Sequence, residues 1–327
     1  MPKVFCQLNY TMNNSIVLVA CTNVGRHIIN LFFSNKRIKK KVYLTGIINL
    51  NLEKGANKSN YDNYYDLKIK YNLNIKYVNS INDRETVQWL KKINPSLILQ
   101  SGWSQKFSKE ILDIPKYGCV GQHPAPLPVG RGAACVNWAI ILGYKKWGDS
   151  FFLMDEKYDN GDLIAQKFFS IDDDDTVKTI YDKVCYTSKT ICEKEIVNWS
   201  RGIFVRKKQN LKKAIYFKKR SPGDGEIDVY KDDNISAYNK VRALTKPYPG
   251  AFVNFNKKKL LIWESKKKNF NKKFYFPASV KNIFKYKNKL YLKLGEIKNS
   301  FLEIKRFQVD DSPEFSGKDV NKNIRFL

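Results

Sequence analysis

Residues 15–33 read SIVLVACTNVGRHIINLFF, and this stretch sets the fold class. Residues 15–20 form a continuous apolar run, 21–26 a short turn, and 27–33 place apolar residues at helical spacing. An apolar run without polar alternation is the pattern of a strand buried on both faces, so the stretch predicts buried strand, tight turn, helix. The reading repeats downstream. Further buried strands are predicted at 42–48, 75–78, 96–100 and 119–123, with helices over 61–71 and from the capping residue Asp83 through Leu90. Strands alternating with helices imply βαβ units and a mostly parallel, Rossmann-like α/β sheet covered on both faces. Ligands bind such sheets beyond the carboxyl ends of the strands, where Gly102-Trp103-Ser104 and His123-Pro124 fall. Asn23-Val24-Gly25 is not a G-x-G-x-x-G fingerprint, so a dinucleotide cofactor has little support.

The pattern changes near Gly202. Short apolar or aromatic runs at 214–217, 259–263, 289–292 and 301–304, broken by polar turns, predict a small, mainly antiparallel β domain interrupted by one helix over 235–244. Lys257-Lys258-Lys259 and Lys266-Lys267-Lys268 read as solvated hairpin turns. The expected organisation is two domains, 1–208 and 209–327. Asp172-Asp173-Asp174-Asp175 resembles a metal site at first sight. It precedes an amphipathic stretch over 177–199, however, and carboxylates at a helix start suit capping and the helix dipole.

Composition sets outer bounds. Hydrophobic residues are 43% of the 327 and aromatics 14%, enough for a packed core and too much for a disordered basic tail. The net charge is +28, but only ten of the 59 cations are Arg. Such lysine bias can arise from base composition as well as from selection for anions, and high charge speaks to solubility and anionic partners rather than to fold. Six cysteines without a C-x-x-C pair, and two histidines, leave a zinc site almost no ligands, so no metal is expected. Reduced, mostly buried thiols in a cytoplasmic protein fit best. The opening MPKVFCQLNYTMNN has no apolar core, and no run reaches about 20 apolar residues, so neither secretion nor membrane spanning is expected.

The chemistry concentrates in residues 118–166, GCVGQHPAPLPVGRGAACVNWAIILGYKKWGDSFFLMDEKYDNGDLIAQ. His123 ends an apolar strand and hands over to a Pro-rich loop. Gly130-Arg131-Gly132 then leads into a helix over 133–142, and Asp159-Asn160-Gly161-Asp162 sets two carboxylates around a glycine turn. A lone histidine on a strand, or a lone Asp-x-Gly-Asp turn, is commonly structural.

Together the two pieces resemble the formyltransferase family that uses 10-formyltetrahydrofolate. Its motif runs N-x-H-P-S-L-L-P-x-x-R-G, then W-A-I-x-x-G and D-x-G-D-I. Here His123-Pro124, Leu127-Pro128, Arg131-Gly132, Trp138-Ala139-Ile140, Gly143 and Asp159-x-Gly161-Asp162-Leu163 match in order and spacing. Downstream, residues 220–228 and Arg242-Ala243-Leu244-Thr245-Lys246-Pro247-Tyr248-Pro249-Gly250-Ala251-Phe252 look like members that formylate nucleotide-linked amino sugars, and like the formyltransferase half of the bacterial 4-amino-arabinose enzyme. The resemblance covers most of residues 16–265 and implies a smaller, OB-like C-terminal domain.

By that resemblance His123 and Asp159 are the catalytic pair. His123 would move protons and stabilise the oxyanion, while Asp159 orients the ring or deprotonates the incoming ammonium. The folate would lie near Trp103, Ser104, Gln105, Leu127 and Pro128, with Met154 and Asp155 close to its pterin. Arg131, Asn137, Trp138, Arg242 and Tyr248 are the expected substrate contacts. Arg131 could equally anchor the loop, and Tyr248 could pack under the turn over 247–250. One departure stands out. The family carries Asn two residues before the histidine, and here that position is Gly121. Gln122 is adjacent, but on a strand its side chain should point away from His123.

The resulting expectation is an N-formyltransferase acting on a nucleotide-linked amino sugar for a surface glycan. A homodimer is compatible with exposed aromatic strands in the second domain, and neither membrane nor nucleic acid is expected as a partner. Two alternatives stay open: methionyl-tRNA formyltransferase, whose tRNA phosphates would suit the charge, and a catalytically silent basic protein that binds nucleic acid.

Overall fold

A computed structural model of the chain describes residues 14–56, 58–255, 257–269, 282–295 and 300–318. Cys6 and the rest of the opening segment discussed above lie outside the described residues. Strands β1 (Ser15–Ala20), β2 (Tyr43–Leu50), β3 (Ile75–Val78), β4 (Leu97–Ser101) and β5 (Cys119–His123) are followed by a short β6 (Val129–Gly132), then β7 (Lys146–Leu153) and β8 (Leu163–Ser170). One seven-stranded sheet runs β3-β2-β1-β4-β5-β7-β8. Its first five strands pair in parallel, and β7 runs antiparallel to β5.

The period-2 alternation of β1 explains why its sequence is uniformly apolar. Ile16, Leu18 and Ala20 enter one core with Ile47, Leu99, Val120 and Phe151, while Val17, Val19 and Cys21 enter a second with Ile48, Ile98 and Cys119. Both faces of the sheet are covered, and each fully buried aliphatic side chain contributes about 1.5–3 kcal/mol. Cys21, Cys119, Cys135, Cys185 and Cys192 are buried. Burial pushes the Cys21, Cys119 and Cys192 thiols up, which disfavours the reactive thiolate.

Local expectations change first at three helices. The helix predicted over 61–71 spans only Tyr65–Tyr71. Asp62 accepts from Tyr64 N and pairs with Arg26, which holds the preceding residues in a turn with Tyr64 at φ +56°. Asp83 precedes the helix Arg84–Ile93, but its carboxylate accepts from Ser80 N instead of capping the helix. The acidic run does not cap the helix Val177–Trp199 either. Thr176 and Thr179 exchange backbone-to-hydroxyl hydrogen bonds there, while Asp172 and Asp175 pair with Lys183, and Asp173 with Lys145 and Lys267. Lysines within reach outcompeted the free helix N–H groups.

Chain contacts divide the molecule into two compact units. One holds Met1–Arg131, Gly148–Phe168 and Val184–Ile215; the other holds Gly132–Trp147, Phe169–Lys183 and Tyr216–Leu327. The second unit gathers distant segments because Asn137 Nδ2 donates to Ala243 O, and Arg242 donates to the Asp172 and Asp175 carbonyls. After β9 (Ile215–Phe217) come β10 (Ala251–Phe255), β11 (Lys258–Lys268), β12 (Ile283–Tyr286), β13 (Lys289–Lys293), β14 (Phe301–Val309) and β15 (Phe315–Ser316). They form an antiparallel sheet ordered β10-β11-β14-β13-β12, with β15 on β14. The helix Asn234–Leu244 carries a capping box in which Asp233 and Ser236 satisfy each other's backbone N–H. Lys266, Lys267 and Lys268 are not a turn. They extend β11 opposite Glu303, Leu302 and Phe301, because an exposed strand end tolerates lysine on both faces.

Candidate active site

The alternation of β5 separates its last two side chains. Gln122 accepts from Ser101 Oγ and donates to Asp149 Oδ1, whose other oxygen accepts from Ser188 Oγ on the helix Val177–Trp199. His123 points the other way, with Nε2 2.7 Å from Gly130 O. A carbonyl can only accept, so Nε2 carries the hydrogen and the neutral ring keeps its lone pair on Nδ1. His123 Nδ1 lies 3.7 Å from Asp159 Oδ1, and the two side chains retain only 11% and 14% of their exposure.

Asp159 is brought there by a tight loop between β7 and β8. Leu153 N donates to Asp162 O, and a Cβ on Gly161 would fall 1.6 Å from Leu153 O, so only glycine lets the chain double back so closely. Asp155 accepts from Lys157 N and from Asn160 Nδ2. Asp159 itself sits at φ +50°. The Pro-rich loop is strapped in turn. Ser150 Oγ donates to Ala125 O and accepts from Leu127 N, and Gln166 Nε2 donates to Leu127 O.

The other expected residues are placed as follows. Trp103 follows β4 and is 8% exposed; its buried indole N–H has no hydrogen-bond partner among the described residues. Ser104 Oγ accepts from Lys58 Nζ, and the Gln105 amide is engaged with Ile81 N and Asn79 O. Leu127, next to Pro128, packs with Phe152, Leu163 and Met154. Arg131 is 1% exposed and donates to Gln209 Oε1 and Asn160 Oδ1, an anchor's geometry. In the second unit, Trp138 Nε1 donates to Lys218 O. Asn137 and Arg242 hold backbone carbonyls as already described, and burial draws Arg242 below the usual guanidinium range. Tyr248 is half-buried, and burial raises its hydroxyl.

Three residues escaped the sequence reading. Asp149, fully buried on β7, has its carboxyl pushed up to about 7 by burial, against the opposing hydrogen bonds from Ser188 and Gln122. A lone aspartate inside the apolar run WGDSFFL was the available signal. Phe152, not singled out from the sequence, fills the space in front of Gly121 together with Met154. Gln209 lies in an irregular segment that carried no signal at all.

Comparison with known proteins follows the same lines. A family model described as formyl transferase matches residues 56–194, and one described as formyl transferase, C-terminal domain, matches 219–324. Methionyl-tRNA formyltransferase of Caldanaerobacter subterraneus subsp. tengcongensis is 33% identical over 226 residues, 69% of this chain and 71% of that protein. The bifunctional polymyxin resistance protein ArnA of Wigglesworthia glossinidia brevipalpis is 35% identical over 198 residues; they make up 61% of this chain but 30% of that much longer protein. Among solved structures, the Helicobacter canadensis N-formyltransferase in complex with folinic acid and dTDP-3-aminofucose is similar with a TM-score of 0.62. That alignment covers 90% of this chain and 99% of the other at 15% identity, a likeness of fold.

Proposed function

We propose, from the premise that this chain belongs to the formyl transferase family, that it moves a formyl group from 10-formyltetrahydrofolate to the amine of a nucleotide-linked amino sugar. The observation that carries formyl transfer is the His123–Asp159 pair with its tautomer set by Gly130 O. The folate is a co-substrate and supplies the formyl carbon: a bond forms from that carbon to the amine nitrogen, the bond to the folate nitrogen breaks, and one proton crosses between the two nitrogens. His123 Nδ1 takes that proton from the attacking amine and returns it to the departing nitrogen. Between the two events the imidazolium is held by the Gly130 carbonyl and the Asp159 carboxylate, and its positive charge favours the developing oxyanion. Trp103 supports folate binding, because a buried indole donor without a partner among the described residues suits a ligand acceptor. The apolar group of Leu127, Phe152, Leu163 and Met154 suits a flat ring.

The sugar-nucleotide reading rests on the 242–252 segment and on a basic surface that favours a diphosphate. The second reading, methionyl-tRNA formyltransferase, is favoured by the methionyl-tRNA formyltransferase relative described above. Surface-glycan synthesis, a cytoplasmic location and a homodimer belong to the first reading; among the described residues no helix is long and apolar enough to cross a membrane. One assay separates the two. The protein is incubated with 10-formyltetrahydrofolate and either a panel of nucleotide-linked amino sugars or charged initiator tRNA, and tetrahydrofolate release is followed. Release with sugars alone supports the first reading, release with tRNA alone replaces it by the second, and no release with any amine removes both.

A further inference from the structure

Gln209 stands outside every helix and strand, yet its side-chain amide is fully engaged in the loop that carries Asp159. Lys207 and Leu163 exchange backbone hydrogen bonds, N to O in both directions at 2.8 and 2.9 Å, and this lays the irregular segment alongside the start of β8. Two residues on, Gln209 Oε1 accepts from Arg131 Nη2 at 2.7 Å, and Nε2 donates to Asp159 O at 2.9 Å and to Gly161 O at 2.8 Å. Arg131 can only donate, so it dictates which end of the amide is oxygen and leaves both N–H groups for the two carbonyls. Those carbonyls flank the turn in which Asp159 adopts φ +50°, a left-handed conformation disfavoured for any residue with a Cβ. Asn160, between them, is tied from both sides by Arg131 and Asp155.

We infer that Gln209 is a positioning residue: its amide pins the backbone on both sides of Asn160 and so holds the Asp159 carboxylate against His123 Nδ1. The inference rests on the reading of His123 and Asp159 as the proton-moving pair. It also assigns Arg131 to orienting Gln209 rather than to a ligand.

The test reads the imidazole directly. The chain has two histidines, and His27 lies exposed on the helix Asn23–Ser34, so a His27→Gln background leaves one ring signal for NMR titration. Among the charges acting on that ring are Asp159 at 3.7 Å and the buried Asp149 on β7. Asp159→Asn is expected to lower the His123 pKa by about one unit, as loss of a close opposite charge does. Gln209→Met, neutral and of similar size, should lower it by roughly half of that or more. In the Met background Asp159→Asn should add only the remainder, about half a unit or less. An unshifted His123 in folded Gln209→Met, or an undiminished Asp159→Asn effect in that background, overturns the inference. Should Gln209→Met fail to fold, Gln209→Glu serves instead. It keeps the Arg131 contact but cannot donate to either carbonyl, and the Asp159→Asn shift should again shrink. With an amine that is formylated, either variant should cost about tenfold or more in kcat with KM for the folate within about twofold. Equal losses in kcat and KM-based binding would overturn it. If no amine is formylated, the titration still decides the role of Gln209, so the two failures remain distinct.

Discussion

Gly121 on β5 and Phe152 on β7 are cross-strand partners, and a Cβ on the glycine would stand 2.8 Å from Phe152 Cζ and 3.0 Å from Met154 Cγ. The position where the family carries its asparagine is thus closed by an aromatic ring. Gly121→Asn is expected to lose stability and activity, not to gain rate. Gly121→Ala should cost about 1–3 kcal/mol by overpacking, and Phe152→Leu in the same chain should recover part of that cost. Denaturant unfolding of the two single variants and the double variant checks this; strictly additive costs would mean that the two residues do not press on each other.

His123→Ala and Asp159→Asn should each lower formyl transfer by roughly 10²–10⁴ with little change in melting temperature, because His123 ends β5, Asp159 lies in the β7–β8 loop, and neither belongs to the two large apolar cores. Tetrahydrofolate release and circular dichroism, measured on the same preparations, check it. Near wild-type turnover from either variant would move the active site elsewhere.

Asp149 makes stability pH-dependent in a defined direction. Its carboxyl titrates at about 7 in the folded chain against 3.8 ordinarily, so between those values the folded state holds a proton that the unfolded state has released. The stabilising effect of that proton is full at or below about pH 4, declines as pH rises, and is gone above about pH 7. Asp149→Asn cannot ionise. Relative to wild type it should therefore become more stable across that window, by at most about 1.4 kcal/mol per pH unit. Unfolding curves at pH 4, 5, 6, 7 and 8 test it, and a constant difference would mean that the carboxyl is not raised.

Trp103→Phe removes a buried N–H that has no partner among the described residues while keeping a ring in the core. The protein should stay as stable or become slightly more so, and KM for the folate should rise about two- to tenfold from the lost hydrogen bond. Unchanged folate binding would place the co-substrate away from this indole.

The fold class was legible because buried strands and the turns after them are local patterns: β1, β3, β5 and the helix Val177–Trp199 fall where the apolar runs place them. The candidate site was legible in part, since His123 and Asp159, which the structure brings within 3.7 Å, belong to a motif of fixed spacing. The competing side-chain partners were not. Thr176 rather than the acidic run caps its helix, by a local exchange with Thr179 while lysines as distant as Lys267 engage the aspartates, and Lys266–Lys268 continue β11 because residues 301–303 pair with them.

What the sequence by itself determined is the order of strands and helices, the spacing of the His123 and Asp159 motif and the absence of room for polar alternation in β1. Only the tertiary structure decided the chemistry's fine settings. It fixed the His123 tautomer through Gly130 O, filled the space before Gly121 with Phe152, and brought Gln209 and Arg131, 78 residues apart, onto the loop of Asp159. The physical reason is common to all three. Hydrogen-bond geometry and close packing are set by which surfaces meet after folding, and spacing along one chain carries no record of that meeting.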